Sequence, residues 1–230
     1  MTSTTLLLDS DLVVYRCAAV TENQESSVAC YQAGEMVKRI LDETNASAYK
    51  CFLSGENNFR YLIYPEYKAN RKDIPKPKHF QTIREYLVSH WGASVTDGHE
   101  ADDALGVEQC RSQNTAISSI DKDLLMIPGH HYNFVKKEWY FVDFLQSLHT
   151  FYAQCLLGDK TDNVPGYDGK FRSVFPKFFE EHVNNIKSFD DELDMYTYVR
   201  NVFDDDEIFH RNAKCLWIWR KENDVWNPPQ

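Results

Sequence analysis

The sequence predicts an α/β protein whose mostly parallel sheet is flanked by helices. Short apolar, β-favouring runs alternate with longer segments of helical periodicity, which is the pattern of βαβ units. Clusters of carboxylates follow several of the predicted strands, and ligands bind at these strand ends in open parallel sheets. With 230 residues, 43% of them hydrophobic, the chain is long enough to bury a core.

The amino-terminal unit is predicted to be a strand, a turn and a helix. Residues 4–8 are apolar and β-favouring, and residues 12–19 resume with helical spacing. Asp9 would end the strand and is a candidate ligand, whereas Asp11, just before the helix, is more typical of an N-cap. The next predicted elements are a helix over 27–43 and a buried strand over 48–53.

An aromatic and basic segment follows the second strand. Residues 59–72 contain three tyrosines, and residues 68–78 contain five Lys or Arg residues against the single acid Asp73. Two prolines then precede a predicted helix over 78–90. Rings that stack on bases and cations that hold phosphates suit a single strand of nucleic acid. An exposed basic loop with core tyrosines fits the same composition equally well.

The densest group of carboxylates is Glu100, Asp102 and Asp103, which follows a predicted strand over 93–96 and opens a predicted helix. In a partly dry cleft, three carboxylates this close would need a cation to remain ionised. In an exposed turn, water alone would screen their repulsion. The surroundings of the turn decide between these two cases.

Two later clusters repeat the close spacing of acids. A strand over 114–120 would end at Asp121, and an extended backbone would place Asp121 and Asp123 on the same side. Asp159 and Asp162 lie in a glycine-rich stretch. A single acid pair in a turn is usually a cap or a solvated loop. Four clusters that converge at one sheet edge instead favour divalent-metal chemistry.

The last third of the chain is predicted to be mainly helical. A glycine-rich turn over 158–169 exposes backbone N–H groups that can take a phosphate, although a plain helix–helix loop has the same composition. Trp217 and Trp219 are predicted to belong to the core. The predicted elements are a hairpin with strands over 132–135 and 138–142, a helix over 144–157, and acidic helices from residue 190.

The formal charge of −10 argues against a generic nucleic-acid binder, since phosphate binders usually have a basic surface. The four clusters contain nine of the acids, however, and without these nine the charge of −10 becomes −1. Six cysteines without paired spacing, and no basic-then-apolar leader, favour a reducing, cytoplasmic setting. No apolar run approaches the roughly 20 residues that a membrane span requires.

Five short motifs lie in order along the chain: Leu8-Asp9-Ser10-Asp11, Tyr67-Lys68-Ala69-Asn70-Arg71-Lys72, Glu100-Ala101-Asp102-Asp103, Asp121-Lys122-Asp123 and Gly158-Asp159-Lys160-Thr161-Asp162-Asn163-Val164-Pro165-Gly166. Together they resemble the 5′-nuclease superfamily, which includes flap endonucleases, the 5′-nuclease domain of bacterial DNA polymerase I and phage 5′-3′ exonucleases. The Tyr-Lys-x-Asn-Arg form is most similar to the phage exonucleases. Each motif alone is weak, but the ordered set is specific.

The resemblance implies a PIN-like twisted sheet, a helical arch over the active site and a helix-turn-helix-like duplex-binding region after it. On this basis a nuclease core spans residues 1–157, with the arch segment at 60–90. A C-terminal helical DNA-binding region would span residues 158–230 and pack on the core.

The resemblance also assigns roles to residues at the matching positions. Two Mg²⁺ or Mn²⁺ ions are expected, with Lys68 and Arg71 as the catalytic cations at the base of the arch. The expected metal ligands are Asp9, Glu100, Asp102, Asp103, Asp121, Asp123, Asp159 and Asp162. The expected DNA contacts are Tyr67, Lys68, Arg71, Lys72, Lys160, Gly166, Gly169 and Lys170.

The implied activity is that of a monomeric, metal-dependent 5′-3′ exodeoxyribonuclease or structure-specific flap endonuclease. Its partners would be DNA with 5′ ends or flaps, and RNA primers, during phage DNA replication in the host cytoplasm. The sequence departs from the pattern at Gly55, where relatives usually carry an Asp, and at 165–170, which lacks the fuller double-glycine form. A DNA-structure-binding protein with weakened catalysis and a PIN-domain ribonuclease are therefore the alternatives.

Overall fold

The computed structural model describes residues 4–170 and 177–230, and its α/β architecture confirms the predicted fold class. Two 3₁₀ turns cover Ala69–Arg71 and Asp123–Met126. The strands are β1 (Thr5–Asp9), β2 (Ala48–Glu56), β3 (Ser94–Asp97), β4 (Thr115–Ser118), β5 (Gly129–Asn133), β6 (Glu138–Val142), β7 (Gly158–Asp159) and β8 (Val164–Pro165). The helices are α1 (Ser10–Val20), α2 (Ser26–Thr44), α3 (Arg60–Ile63), α4 (Phe80–Trp91), α5 (Ala101–Arg111), α6 (Phe144–Leu157), α7 (Lys177–Lys187), α8 (Glu192–Val202) and α9 (Asp206–Leu216).

Six strands form the central sheet in the order β3-β2-β1-β4-β5-β6. Neighbouring strands are parallel except β5 and β6, which pair antiparallel as the predicted hairpin. The chain runs outward from β1 through β2 to β3, and then returns to β4 on the other side of β1. The strand order therefore reverses between β1 and β4, which places a crevice beyond their carboxyl ends.

Helices cover both faces of the sheet, because consecutive apolar side chains of β1 point to opposite faces and both faces must be buried. Leu6 and Leu8 are buried on the face that packs against α1, α2 and α4. Leu7 is buried on the other face, where it packs with Leu105 of α5. The two layers fix the end of β1 and the beginning of α5, which both carry predicted ligands.

A third apolar cluster joins the C-terminal helices to the rest of the fold. Helix α6 packs against α7, α8 and α9, and the Phe151 ring of α6 lies 4.8 Å from the Trp217 ring. Trp217 and Trp219 are both buried, which confirms that they belong to the core. The predicted division of the chain at residues 157 and 158 stays a prediction. Within the described ranges, every helix is too short or too polar to cross a membrane.

The arch segment predicted at residues 60–90 contains two short helical pieces and most of α4; its form as an arch over the active site stays a prediction. Helix α3 has four residues, and one 3₁₀ turn follows it. Pro75 and Pro77 keep the following stretch out of helical conformation. Helix α4 then packs on α1 and α2 as part of the layer that covers the sheet.

The backbone after β4 also differs from expectation. We predicted an extended chain through Asp123, but β4 ends at Ser118 and Asp123 begins a 3₁₀ turn. This turn buries Leu124 and Met126, and their burial outweighs the tendency of the strand to continue.

The glycine-rich stretch after α6 forms a small two-stranded ladder. Gly158 pairs with Pro165 and Asp159 with Val164, in antiparallel register. Helix α7 begins at Lys177, and residues 171–176 lie outside the described part of the chain. The helix-turn-helix-like form of this region stays a prediction.

Candidate active site

A large cleft, about 2040 Å³ in volume, opens beyond the carboxyl ends of β1 and β4. One side of the cleft comes from α1, α4 and the end of β2, and another from α6, the turn after α6 and α7. The first turn of α5, the arch base (residues 66–72) and the loop after β4 complete it. Seven of the eight predicted metal ligands and both predicted catalytic cations line it. These residues are Asp9, Glu100, Asp102, Asp121, Asp123, Asp159, Asp162, Lys68 and Arg71.

Asp9 lies at the end of β1 and is only 3% exposed. Its carboxylate accepts hydrogen bonds from Leu12 N at 3.3 Å and from Ser119 Oγ at 2.7 Å. Burial raises the pKa of Asp9 to about 7; the Ser119 hydrogen bond opposes the rise, and the charges of Asp11 and Asp121 add to it. A cation beside this carboxylate would stabilise its ionised form.

Asp102 lies in the first turn of α5 and lines the same cleft. Burial raises the pKa of Asp102 well above its ordinary value, and the charges of Asp9, Asp121 and Glu100 raise it further. The acidic turn is therefore in a partly dry cleft and not in bulk water. Of the two cases that the sequence left open, this is the one that calls for a cation.

Asp103 does not line the cleft, which corrects its prediction as a metal ligand. The side chain is fully buried and accepts two hydrogen bonds from the Arg60 guanidinium, at 2.6 and 2.8 Å. Its oxygens also accept the backbone N–H groups of Glu100 (3.0 Å) and Trp219 (3.1 Å). Arg60 donates in addition to the Trp217 carbonyl oxygen at 2.7 Å. Asp103 therefore joins α5 to the C-terminal segment.

The loop after β4 and the turn after α6 bring three further acids together. Asp121 Oδ1 accepts a hydrogen bond from Asp123 N at 3.0 Å. The Gln154 amide of α6 donates to Asp123 Oδ1 at 2.9 Å and to Asp159 Oδ2 at 3.4 Å. Burial, followed by the charges of Asp121, Asp159 and Asp162, raises the pKa of Asp123 well above its ordinary value. The amide positions these carboxylates without neutralising them.

Lys68 and Arg71 reach the acids from the arch base. Lys68 Nζ forms an ion pair with Glu100 and lies 3.5 Å from Asp162, and Arg71 Nη2 donates to Asp162 at 3.0 Å. Lys68 has a left-handed backbone (φ 53°), and its N–H donates to the Asp162 carbonyl oxygen at 2.9 Å. Burial would raise the pKa of Glu100, but the charges of Lys68 and Arg60 hold it below its ordinary value.

Tyr67 is 1% exposed, which corrects its prediction as a DNA contact. Its hydroxyl donates to Asp162 Oδ2 at 2.5 Å and lies 3.0 Å from Glu100 Oε2. Burial, with the charges of these two acids, raises the pKa of Tyr67 well above its ordinary value, so the hydroxyl keeps its proton and remains a donor. Tyr67 therefore holds two acids of the cleft in place and presents no ring to a base.

Of the remaining predicted DNA contacts, Lys160 lines the cleft and Gly166 is buried. Lys72, Lys160 and Lys170 are exposed. Gly166 N donates to the Lys170 carbonyl oxygen at 2.9 Å, and Gly169 has a φ of +73°, which favours glycine. These five residues stay predictions as DNA contacts.

The end of β2 offers no carboxylate at Gly55. A Cβ on this residue would lie 1.7 Å from the Thr96 carbonyl oxygen, so the backbone here admits only glycine. The neighbouring Ser54 faces α5, and its hydroxyl accepts the Ala101 N–H at 2.9 Å. Glu56 is exposed at the cleft wall.

Arg84 lines the cleft from α4 and was not predicted as a site residue. Its guanidinium donates to Asp11 Oδ1 at 2.9 Å and to the Ser54 carbonyl oxygen at 2.7 Å. Asp11 was expected to cap α1, but Asp9 takes that position. A lone arginine in an amphipathic helix belongs to no motif, so only the packing of α4 against α1 and β2 reveals it.

The donor set of the cleft fits a hard divalent cation. Carboxylate oxygens are the ligands that Mg²⁺ and Mn²⁺ prefer, and Asp9, Asp102 and Asp123 have raised pKa values because burial and like charges surround them. Within residues 4–170 and 177–230, no three His, Cys, Asp or Glu side chains converge closely enough to enclose an ion. Mg²⁺ keeps several of its waters, so acids spread along a cleft can hold it through water.

Residues 4–150 match the family model described as the 5′-3′ exonuclease, N-terminal resolvase-like domain. The flap endonuclease Xni of Pseudoalteromonas translucida is 26% identical, with 82% of this chain and 80% of the relative covered. A 5′-3′ exonuclease of Buchnera aphidicola is 26% identical over 94% of this chain and 80% of its own. A DNA polymerase I of Streptococcus pneumoniae is 32% identical over 67% of this chain, which spans 20% of that polymerase.

Solved structures share the fold. A T5 protein co-crystallised with metal ions has a TM-score of 0.67 at 17% identity, with 93% of this chain and 88% of that chain covered. The bacteriophage T5 flap endonuclease in a complex with DNA and metal ions has a TM-score of 0.66 at 16% identity, over 93% and 88% of the two chains. These likenesses support the α/β fold with its mostly parallel sheet.

Proposed function

The chain belongs to the 5′-3′ exonuclease family, and from this premise we propose that it hydrolyses DNA from 5′ ends and at 5′ flaps with two Mg²⁺ or Mn²⁺ ions. One observation carries the proposal. Seven carboxylates from four separate motifs converge with Lys68 and Arg71 in a single cleft. Phosphodiester hydrolysis needs this combination, because the metal ions require anionic ligands and the phosphate requires cations.

The carboxylates would hold the metal ions, which activate the attacking water and neutralise the charge that develops on the phosphate. Burial and neighbouring acids raise the pKa values of Asp9, Asp102 and Asp123, and the charge of Lys68 offsets this only in part at Asp102. A metal ion would supply the missing positive charge. Ser119 orients Asp9 and Gln154 orients Asp123 through hydrogen bonds. Their preorganised positions lower the cost of assembling the site.

The arch base would supply positive charge to the scissile phosphate. Lys68 is a point charge, and Arg71 has a planar fork that can bind a phosphate through two donors. Both cations pair with acids in this structure, Lys68 with Glu100 and Arg71 with Asp162. A phosphate that reached the cleft would share these cations with the acids, and so would lie between the arch base and the metal ions.

We place the duplex part of the substrate on the wall formed by α6, α7 and the turn after α6. Lys160 and Lys187 line this wall, and Lys122 of the loop after β4 lines the same cleft; cations of this kind hold a phosphate backbone. The similarity to phage exonucleases supports a role in phage DNA replication in the host cytoplasm. There the protein, as a monomer, would remove RNA primers or digest duplex DNA.

Cleavage of a 5′-labelled flapped duplex tests the proposal. The parent protein should cut with Mg²⁺ or Mn²⁺, and a chelator should abolish cutting. Asp121→Ala and Lys68→Ala should both lose activity while still folding, because each removes a charge that the reaction needs. The lengths of the labelled products separate exonuclease from flap cutting.

Two other outcomes identify the alternatives. A protein that binds the flap but never cuts it with either metal would be a DNA-structure-binding protein, and the absence of an acid at Gly55 supports this alternative. Preferential cutting of single-stranded RNA would instead indicate a PIN-domain ribonuclease.

A further inference from the structure

We propose that Arg84 is a further DNA-contact residue of the cleft and that Asp11 is the positioning residue that holds it. This inference rests on the proposed nuclease function. The pair belongs to the wall formed by α1, α4 and the end of β2, whereas the proposed duplex contacts belong to the wall of α6 and α7. DNA that enters the cleft from the duplex side and passes the acids would meet Arg84 on the first of these walls.

The guanidinium of Arg84 is fixed by two hydrogen bonds, and a third joins its two partners to each other. Arg84 Nη1 donates to Asp11 Oδ1 at 2.9 Å, and Arg84 Nη2 donates to the Ser54 carbonyl oxygen at 2.7 Å. Ser54 N closes the ring by donating to Asp11 Oδ2 at 2.9 Å. The arginine is thus anchored to both α1 and β2, and little side-chain entropy remains to be lost when a ligand binds.

Arg84 retains donors for a ligand. A guanidinium carries five N–H donors in a planar fork, and the two contacts above use one each from Nη1 and Nη2. The side chain is 14% exposed and lines the cleft. A phosphate oxygen is the acceptor that best matches a fixed, planar and permanently charged donor of this kind.

The other charged side chains on this wall are less suited than Arg84 to bind a phosphate. Lys76 lies 4.5 Å above the Phe80 ring, and Glu56 and Glu85 are exposed carboxylates. Water screens the repulsion between these exposed acids and a phosphate. Arg84 is mostly buried, so its attraction is screened less. It also offsets the charge of Asp11, which would otherwise repel DNA next to Asp9.

The salt dependence of DNA binding tests the proposal. Affinity for a 5′-flapped duplex would be measured by fluorescence anisotropy across a range of salt, with Ca²⁺ in place of Mg²⁺ and gels to confirm that the DNA is intact. A plot of log K against log [salt] has a negative slope, and the loss of one phosphate contact decreases the magnitude of that slope by about 0.7 to 0.9. Arg84→Gln should show this decrease, and Arg84→Lys, which keeps the charge, should retain most of the parent slope.

The double variant Asp11→Asn/Arg84→Gln separates a contact from a change in net charge. It removes one charge of each sign, so the net charge of the wall is unchanged. The magnitude of the salt-dependence slope should still decrease. If its slope equals that of the parent, Arg84 only neutralises Asp11 and the proposal is wrong. Arg111→Gln is the matched control, because Arg111 pairs with Glu108 and does not line the cleft.

Mg²⁺-dependent cleavage by the parent, measured on the same substrate, keeps the two proposals distinguishable. If the parent does not cleave, the proposed function fails, whatever the slopes show. If the parent cleaves and the slope of Arg84→Gln is unchanged, the nuclease function stands and only the role of Arg84 is refuted. Thermal unfolding of each variant verifies that the measured protein is folded.

Discussion

Asp102 and Asp103 are consecutive residues in the first turn of α5, yet they have different environments. Asp102 lines the cleft, where burial and the charges of Asp9 and Asp121 raise its pKa. Asp103 does not line the cleft, and its carboxylate is satisfied by Arg60 and by the backbone N–H groups of Glu100 and Trp219. Asp102 lies among like charges that the charge of Lys68 offsets only in part, whereas Asp103 has a full set of partners.

The difference shows that the direction of a side chain, and not its place in a motif, decides its role. Consecutive residues on a helix point about 100° apart, since a turn contains 3.6 residues. A motif of three acids over four positions must therefore distribute them over different sides of the helix. Asp102 is available to a metal ion, whereas Asp103 holds α5 against Arg60 and the C-terminal segment.

The largest effect is expected from Asp103→Asn, which removes the charge that Arg60 requires. Breaking a buried ion pair by removing one partner costs about 3–5 kcal/mol, and we expect this loss in the free energy of unfolding measured with urea. Glu108→Gln on the same helix is the control, since Glu108 pairs with the half-exposed Lys50 and the loss should be about 1 kcal/mol. Equal stability of Asp103→Asn and the parent would contradict the structural role.

Asp102→Asn should have the opposite effect, with stability retained and cleavage activity lost. It removes charge from a crowded cluster, so the stability of the chelated protein should be unchanged or higher. The rate of Mg²⁺-dependent cleavage of the flapped duplex should fall by about 10²–10³-fold, which is the rate loss typical when an enzyme loses one preorganised electrostatic interaction. If Asp102→Asn unfolds the protein or leaves cleavage intact, the contrast between the two aspartates is not functional.

Tyr67→Phe sharpens the contrast at the arch base. The variant removes only the hydroxyl that donates to Asp162 and Glu100, and residues that orient metal ligands typically contribute about 10–100-fold to metal affinity or activity. We expect the Mg²⁺ concentration for half-maximal cleavage to rise by about 10-fold, with DNA affinity in Ca²⁺ unchanged. A loss of DNA affinity alone would restore the original prediction that Tyr67 contacts DNA.

The smallest effect concerns pH. The pKa of Asp9 is about 7 in the folded protein, against 3.8 without the fold, so between these values the folded state binds more protons than the unfolded state. The contribution of Asp9 to the stability of the chelated protein must therefore fall as pH rises from 5 to 8. His131 acts in the opposite direction below about pH 6.5, because burial lowers its pKa to about 4. We therefore expect the melting temperature of the parent, relative to that of Asp9→Asn, to fall by roughly 5 °C over this range; a difference that stays constant or grows would contradict the role of Asp9.

The sequence predicted the sheet and most of its helices because periodicity is a local property. The helix at Phe144–Leu157 has the predicted bounds, and the acids at the ends of β1 and β4 lie in the expected crevice. The arch over the active site stays a prediction, because the family resemblance, and not the residues, supplied it. Pro75 and Pro77 were predicted to interrupt the segment before a helix over 78–90, and α4 begins at Phe80.

The errors in the site share one cause. Asp103, Tyr67 and Arg84 are distinguished by partners far away in sequence: Asp103 contacts Arg60 and Trp219, and Arg84 contacts Asp11 and Ser54. Composition can locate a group of acids, but it cannot show which of them meets a buried cation. Only the packing of the C-terminal segment on α5, and of α4 on α1, settles this.

The most direct test of the metal site is a Mn²⁺ titration of the parent, Asp102→Asn and Glu108→Gln, with bound ion measured by electron paramagnetic resonance. We predict saturable binding by the parent and Glu108→Gln, and binding that is weaker by about 10-fold or more in Asp102→Asn. Equal Mn²⁺ affinity in all three proteins would contradict the claim that the carboxylates of this cleft hold the ions.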